Sequence, residues 1–292
     1  MGVQPRRVCL VGVGLIAGSL GLALKRTDAV GEVVGLGRRA EQLARARELG
    51  AIDRYSIDPS EALAGCDLVV LGVPLGSIRA VMEQLRPWLD ADTVLTDVGS
   101  AKGCVVDDVE AALGHFPTTF VPGHPIAGTE QSGVEAACAT LFQGRRVILT
   151  PTADTSDDAT AAVRWMWERV GAEVITMSVE HHDRMLAITS HLPHLLAFGL
   201  VDMLSRAPDH EEILRYAAGG FRDFTRIASS DPVMWRDICL GNREAVLDAL
   251  GGYRRDLETL AELVEAADAE GLEAIFRSAK QTRDAHLHWF ER

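Results

Sequence analysis

His124 stands between Gly123 and Pro125 in the segment Pro122-Gly123-His124-Pro125-Ile126-Ala127-Gly128-Thr129-Glu130. A histidine in so constrained a turn has little use in helix packing, and imidazole suits proton transfer near neutral pH. The alternative is a loop histidine that only bonds backbone. Asp97-Val98-Gly99-Ser100-Ala101-Lys102 offers a hydroxyl at Ser100 and one of only three lysines in the chain. Further on, Gly219-Gly220-Phe221-Arg222-Asp223-Phe224-Thr225-Arg226 spaces two arginines one helical turn apart. If helical, Arg222 and Arg226 present one positive face to a carboxylate, with Glu130 or Asp223 holding an arginine in place. The alternative is a surface salt-bridge pair.

The histidines His181-His182-Asp183 and Ser190-His191-Leu192-Pro193-His194 invite a metal reading, since His191 and His194 share a helix face. No cysteine accompanies them and only Asp183 offers a nearby carboxylate, so the expectation is a polar wall facing a cleft, with no metal.

A strand at Arg7–Val11 runs into Gly12-Val13-Gly14-Leu15-Ile16-Ala17-Gly18, the G-x-G-x-x-A form of the dinucleotide fingerprint. Gly12 permits the tight turn and Gly14 lets backbone approach a pyrophosphate. Ala17 keeps helix and strand close, and the first helical residues, Leu15 and Ile16, offer N–H groups to phosphate. Gly72-Val73-Pro74 ends a later strand and is suited to pass beneath the cofactor, so Val73 and Pro74 join the expected cofactor site. The second strand ends in Gly37-Arg38-Arg39, where an NAD-binding fold usually places Asp or Glu. Without that carboxylate nothing repels a 2′-phosphate, and an arginine can pair with one. This predicts NADP over NAD; the alternative is that both arginines merely start a solvated helix.

These groups need a scaffold. Apolar runs at Arg7–Val11, Glu32–Leu36, 68–73, 93–96, 119–121 and Arg146–Leu149 alternate with helical stretches such as 20–25 and 41–49. A Pro/Asp/Ser/Thr-rich stretch at 150–159 interrupts the pattern. A helix at 159–170 and a strand at Glu173–Thr176 then finish the sheet. The reading is an α/β doubly wound, Rossmann-like parallel sheet over residues 1–177. An all-α domain follows at 178–292, opening with a long helix at 180–204. Leu247, Leu250, Tyr253, Leu257, Leu260 and Val264 form a helix-face stripe, either an internal core or a dimer surface.

Composition narrows the function. A net charge of −13 argues against non-specific nucleic-acid binding. No apolar run reaches membrane-spanning length. Basic residues followed by an apolar stretch at the start imitate a signal peptide, but the glycine pattern explains that stretch better. Five scattered cysteines without a CxxC read as reduced thiols of a cytoplasmic protein.

Five segments in order carry a resemblance: G-x-G-L-I-x-G-S at 12–19, D-V-G-S-x-K at 97–102, G-H-P-I-A-G-T-E-x-S-G at 123–133, H-D-R-M-L-A-x-T-S-H-L-P-H at 182–194 and F-R-D-F-T-R-I-A-S-S-D-P-x-M-W at 221–235. Together the chain resembles the prephenate/arogenate dehydrogenase family of tyrosine biosynthesis over about residues 6–290. It reads as a monofunctional catalytic core, without a mutase or regulatory segment. The resemblance implies a cyclohexadienol substrate with a ring carboxylate and a side-chain carboxylate. Its ring C–OH carbon gives up hydride, the ring carboxylate leaves as CO2, and the ring becomes aromatic. It implies that His124 takes the hydroxyl proton and that Ser100 orients it and contacts substrate and nicotinamide. Arg226 binds a substrate carboxylate; His194 and Gly219 line the pocket; Glu130 and Asp223 brace or gate it. Trp235 reaches the neighbouring subunit's cleft, in a homodimer joined through the helical domain.

Two other classes compete. A β-hydroxyacid dehydrogenase needs a lysine early in the helical domain with a nearby asparagine, yet no lysine lies between Lys102 and Lys280 and the one asparagine is Asn242. A non-catalytic NADP-sensing module would not need His124, Ser100 and Arg226 together. Prephenate, L-arogenate or both remain open as substrates, because they differ only at the side-chain α-carbon, remote from the reacting ring.

Overall fold

The computed structural model describes residues 4–129 and 131–290. Strands β1 (Arg7–Val11), β2 (Glu32–Leu36), β3 (Arg54–Ser56), β4 (Leu68–Leu71), β5 (Val94–Asp97) and β6 (Phe120–Val121) form a parallel sheet in the order β3-β2-β1-β4-β5-β6. Helices α1 (Leu15–Arg26), α2 (Ala40–Glu48), α3 (Pro59–Leu63), α4 (Ile78–Leu85) and α5 (Gly103–Leu113) lie between successive strands. The strands are apolar throughout because both faces are covered. Val8, Leu10, Leu68 and Val70 enter one core, while Cys9, Val11, Val69 and Leu71 enter the other. Strand order reverses between β1 and β4, which opens a crevice at their carboxyl ends.

The sequence reading has one sheet; the described residues form two. Pro122 follows β6 and has no N–H to continue a ladder. The chain leaves the first sheet there and enters β7 (Gly123–Pro125), antiparallel to β8 (Arg146–Leu149), which is parallel to β9 (Glu173–Thr176). The last two strands therefore do not finish the first sheet. Helix α6 (Asp157–Arg169), N-capped by Ser156, which accepts from Ala159 N at 3.1 Å, packs on both.

Among the described residues no strand follows Thr176. Helix α7 (Val179–Leu186), a π-turn (Ala187–His191) and helix α8 (Leu192–Ser205) run on as one continuous helix. Pro193 cannot donate a backbone hydrogen bond to the preceding turn, which accounts for the widened turn just before it. The sequence reading found no apolar run of membrane-spanning length, yet these 27 residues do meet that test by length and composition. Within this helix His182, Asp183 and His191 are buried, and each makes polar contacts described below.

Helices α9 (His210–Arg215) and α10 (Gly219–Thr225), a 3₁₀ turn (Arg226–Ser229) and α11 (Pro232–Gly241) follow. Contacts divide the chain into two compact units, Met1–Arg243 and Glu244–Arg292. The change from strands to helices near residue 178 is thus not where contacts thin out. The second unit holds most of α12 (Arg243–Glu265), with α13 (Ala269–Ala285) and α14 (Leu287–Phe290). On α12, Leu247, Leu250, Leu257 and Val264 are exposed in the single chain, while Tyr253 and Leu260 are half-buried.

Candidate active site

The glycine loop closes tightly at one residue and stands open at another. Gly12 has φ +84°, and a Cβ there would meet the Gly72 carbonyl oxygen and a Val73 methyl at 2.8 Å. A Cβ on Gly72 would meet Gly12 O at 2.6 Å and the Ala17 Cβ at 2.8 Å. The two glycines let the ends of β1 and β4 cross closely. A Cβ on Gly14, by contrast, would find no atom within 4 Å. Helix α1 begins there without a capping side chain or an acidic residue in its first turn, so its leading N–H groups, from Leu15 and Ile16 on, face the opening. An open glycine, unused helix N–H groups and no opposing carboxylate fit a dinucleotide pyrophosphate. Val73 and Pro74 flank the crevice after β4, and Pro74 is exposed. At the end of β2, Arg38 and Arg39 are exposed and make no ion pair among the described residues.

Two strands away, the end of β5 anchors the proton chemistry. Asp97 is fully buried and pairs with Lys102 Nζ, also fully buried. Asp97 also accepts from Gly99 N (2.7 Å) and Gly123 N (3.0 Å), while Lys102 Nζ donates to the Gly123 carbonyl (2.7 Å). This knot ties the Ser100 loop to the residue before His124. A buried pair of this kind persists only when further hydrogen bonds satisfy both partners, as here.

His124 lies in β7, paired opposite Ile148, and so is held by a strand instead of the expected turn. Its Nδ1 is 2.9 Å from Nε2 of His182, whose Nδ1 is 2.8 Å from Asp183 Oδ1. The Asp183 carboxylate also accepts from the backbone N–H groups of Lys102 and Gly103, both at 2.8 Å. An ionised carboxylate only accepts, so His182 donates through Nδ1 and accepts at Nε2. His124 then donates through Nδ1, and its Nε2 keeps a free lone pair. Burial first, then His182 and the Lys102 charge, hold His124 well below the ordinary histidine range. Burial also lowers His182, against the opposing hydrogen bond to Asp183. Burial would raise Asp183, but bonds from His182, Gly103 and Lys102 outweigh it and keep the carboxyl below its ordinary value. The result is a neutral His124 able to take a proton at Nε2.

The wall of the cleft comes from α8 and α11. His194 Nδ1 donates to the Ser190 carbonyl at 2.9 Å, and its ring stacks on Trp235 at 3.5 Å and 19°. Helix α11 packs on the turn Leu75–Ser77 that follows β4 and its cofactor crevice. The turn Arg226–Ser229 packs on α8, with Arg226 exposed. Among the described residues there is no cluster able to hold a metal ion.

Comparison with known proteins converges with this geometry. Residues 20–176 match the family model for the nucleotide-binding domain of prephenate dehydrogenase, and residues 178–278 match that for its dimerization domain. The chain belongs to the prephenate dehydrogenase family. It is 37% identical to a cyclohexadienyl dehydrogenase of Zymomonas mobilis, over 95% of both chains. It is 36% identical to a prephenate dehydrogenase of Bacillus subtilis, over 95% of this chain and 75% of that one. Among solved structures, prephenate dehydrogenase from Aquifex aeolicus in complex with hydroxyphenyl propionate and NAD+ matches with a TM-score of 0.91 and 40% identity, covering 98% of this chain and 99% of that one.

The residues expected from the family resemblance take the following places. His182 holds the Nδ1 edge of His124, and no hydrogen bond joins Ser100 to His124 among the described residues. Trp235 is buried and stacked against His194 of its own chain. Asp223 pairs with exposed Arg222 at 3.4 Å. Gly219 starts α10 and is exposed, with no atom within 4 Å of a built Cβ. Glu130 lies outside the described residues. Sequence reasoning missed the roles of Asp97, Lys102, His182, Asp183 and Asn242, although His182 and Asp183 were visible as part of a polar wall.

Proposed function

We propose that this chain oxidises and decarboxylates prephenate, L-arogenate or both, with NADP+ preferred, as a homodimer in the cytoplasm. In this reading residues 1–177 bind the dinucleotide and residues 178–292 supply the substrate wall and the dimer contact. The observation that carries it is the free Nε2 of His124, neutral and locked in one tautomer, beside the end of β5 and two strands from a dinucleotide crevice.

His124 takes the proton of the ring hydroxyl at Nε2 as the C–H bond breaks. The Nδ1 proton stays on His124, hydrogen-bonded to His182 Nε2, and the Asp183 carboxylate stabilises the resulting imidazolium through His182. The nicotinamide, when bound in the crevice, supplies the hydride acceptor. Ser100 contacts the reacting hydroxyl from the β5 side. Arg226 binds a substrate carboxylate, and stacked His194 and Trp235 form a flat wall for the ring. Loss of CO2 then aromatises the ring without a further base. Asp97 and Lys102 hold Ser100 and His124 at a fixed separation, the kind of preorganisation that raises kcat.

Gly37 supports the cofactor preference. A Cβ there would meet Leu43 no closer than 3.4 Å, so space does not forbid a side chain at its root. Exposed Arg38 and Arg39, which make no ion pair among the described residues, are available to a 2′-phosphate. The exposed apolar face of α12 and the match to a dimerization domain support the homodimer.

The test is a steady-state assay crossing prephenate and L-arogenate with NAD+ and NADP+, repeated with His124→Asn. Turnover that falls about 10²–10⁴-fold in the variant supports the reading. No turnover of either substrate by the wild type overturns it.

A further inference from the structure

Asn242, the chain's only asparagine, directly follows α11 and is buried. Its Nδ2 lies 2.7 Å from the Asp183 carbonyl and 3.2 Å from His191 Nδ1. A carbonyl only accepts, so the amide nitrogen faces Asp183 and its two hydrogens serve both neighbours. His191 Nδ1 is therefore an acceptor, and a neutral ring so bonded carries its proton on Nε2. That Nε2 is buried and has no hydrogen-bond partner among the described residues. Orphaned buried donors are uncommon and costly, and a functional role is one of their recognised explanations.

The ring's surroundings indicate what the donor is for. His191 ends the π-turn and is fully buried, edge-on to Trp235 at 6.1 Å. Burial pushes it down to about 4, against the opposing pull of the Asp183 charge and of the Ser100 backbone. The Ser100 loop meets the same anchor: Asp183, whose carbonyl takes the Asn242 amide, also takes the backbone N–H groups of Lys102 and Gly103 just past Ser100. Nδ1 is taken by Asn242, which leaves Nε2–H as the ring's free donor among the described residues.

We propose that His191, held as the Nε2–H tautomer by Asn242, is a positioning residue that fixes the Ser100 loop for the reaction. The proposal rests on the function given above and adds a second histidine arm to it. Both arms start at Asp183. Its carboxylate sets the tautomer of His182 and so of His124; its carbonyl orients Asn242 and so sets His191. One residue thereby dictates that the base presents a lone pair while its neighbour presents a proton.

The experiment is long-range 15N NMR of the histidine-labelled full chain, with the His191 signals assigned by their loss in His191→Gln. The expected result is a proton on Nε2, none on Nδ1, and no titration from about pH 5.5 to 8.5. In Asn242→Asp, an acceptor replaces the donor, and the proton should move to Nδ1 or the ring should charge. An Nδ1–H tautomer in the wild type, or ordinary titration near pH 6.5, overturns the proposal.

Kinetics separates positioning from packing. His191→Gln keeps an N–H near the same place and should hold kcat within about 3-fold. His191→Leu fills the space without a donor and should lose about 10- to 100-fold in kcat with little change in KM. Equal kcat in the two variants overturns the proposal, and if His191→Leu does not fold the tautomer measurement decides alone. Wild-type turnover is measured first. Its absence would overturn the proposed function while leaving the tautomer assignment standing.

Discussion

His182 Nε2 sits 2.9 Å from His124 Nδ1 and, being bound in turn to Asp183, can only accept there. In the proposed reading the base is therefore oriented through His182 on α7. His182→Leu should lower kcat by about 5- to 150-fold, the value of one buried hydrogen bond, with KM nearly unchanged. Placed in a His124→Asn background it should add little, because the two act as a unit. Full additivity in that cycle would dissociate His182 from the base.

Arg226 and Arg222 should separate cleanly. Arg226→Ala is expected to raise KM for the dicarboxylate about 10- to 150-fold, from the loss of about 1.5–3 kcal/mol in a charged hydrogen bond. Arg222 lies in an exposed pair with Asp223, and Arg222→Ala should change KM by less than about 3-fold. The reverse pattern would move carboxylate binding to Arg222.

The cofactor preference predicts a swap. Gly37→Asp with Arg38→Ala supplies a ribose acceptor and removes the phosphate partner. Affinity for NADP+ relative to NAD+ should fall about 5- to 150-fold while kcat stays close to its starting value. The measurement is kcat/KM for both cofactors before and after. A wild type that already prefers NAD+ would reduce both arginines to solvated helix residues.

Stability should depend on pH through the buried histidines. His124, His182 and His191 all have lowered folded-state pKa values, so below about pH 6.5 the unfolded chain binds protons that the folded chain refuses. Stability is full above that pH and declines as pH falls toward the folded values, by about 1.4 kcal/mol per pH unit for each such histidine. Urea unfolding at pH 7.5, 6.0 and 5.0 should show the decline, with a shallower slope in His191→Gln. Parallel slopes would mean His191 is no more buried than the unfolded reference.

Lys102→Met should be among the most destabilising single changes. It leaves the Asp97 charge buried without its partner and frees the Gly123 carbonyl, at a cost of about 3–5 kcal/mol. The same change with Asp97→Leu should recover part of the loss in stability but not in kcat, since Gly123 N also loses its acceptor. Urea midpoints and kcat for both variants check this.

How much of this was legible in the sequence depended on whether neighbours along the chain were also neighbours in space. The glycine loop was readable because turn, pyrophosphate cradle and helix start are consecutive residues. Strand β3 escaped because its three residues, Arg54–Ser56, are too few to show a period. The second sheet escaped because its separation depends on Pro122 and on a long-range pairing with β8. His181 and His182 are adjacent, yet His181 is exposed and His182 fully buried. Helix phase decides which faces the site, and in His-His-Asp that phase is ambiguous until α7 is docked. Lys102 was visible only as a motif letter. Its partners Asp97 and Gly123 come from different strands, and no local pattern encodes that meeting.

The strand order carries a consequence for how such a chain can change over generations. In the proposed reading residues at the end of β2 choose the dinucleotide, while His124 is tied to the end of β5 through Gly123, with β1 and β4 between them. At about 4.8 Å per strand the two regions are on the order of 14 Å apart, beyond the range where substitutions usually couple. Cofactor choice can thus drift while the acid–base machinery is inherited intact, and the two traits should recombine freely between related sequences.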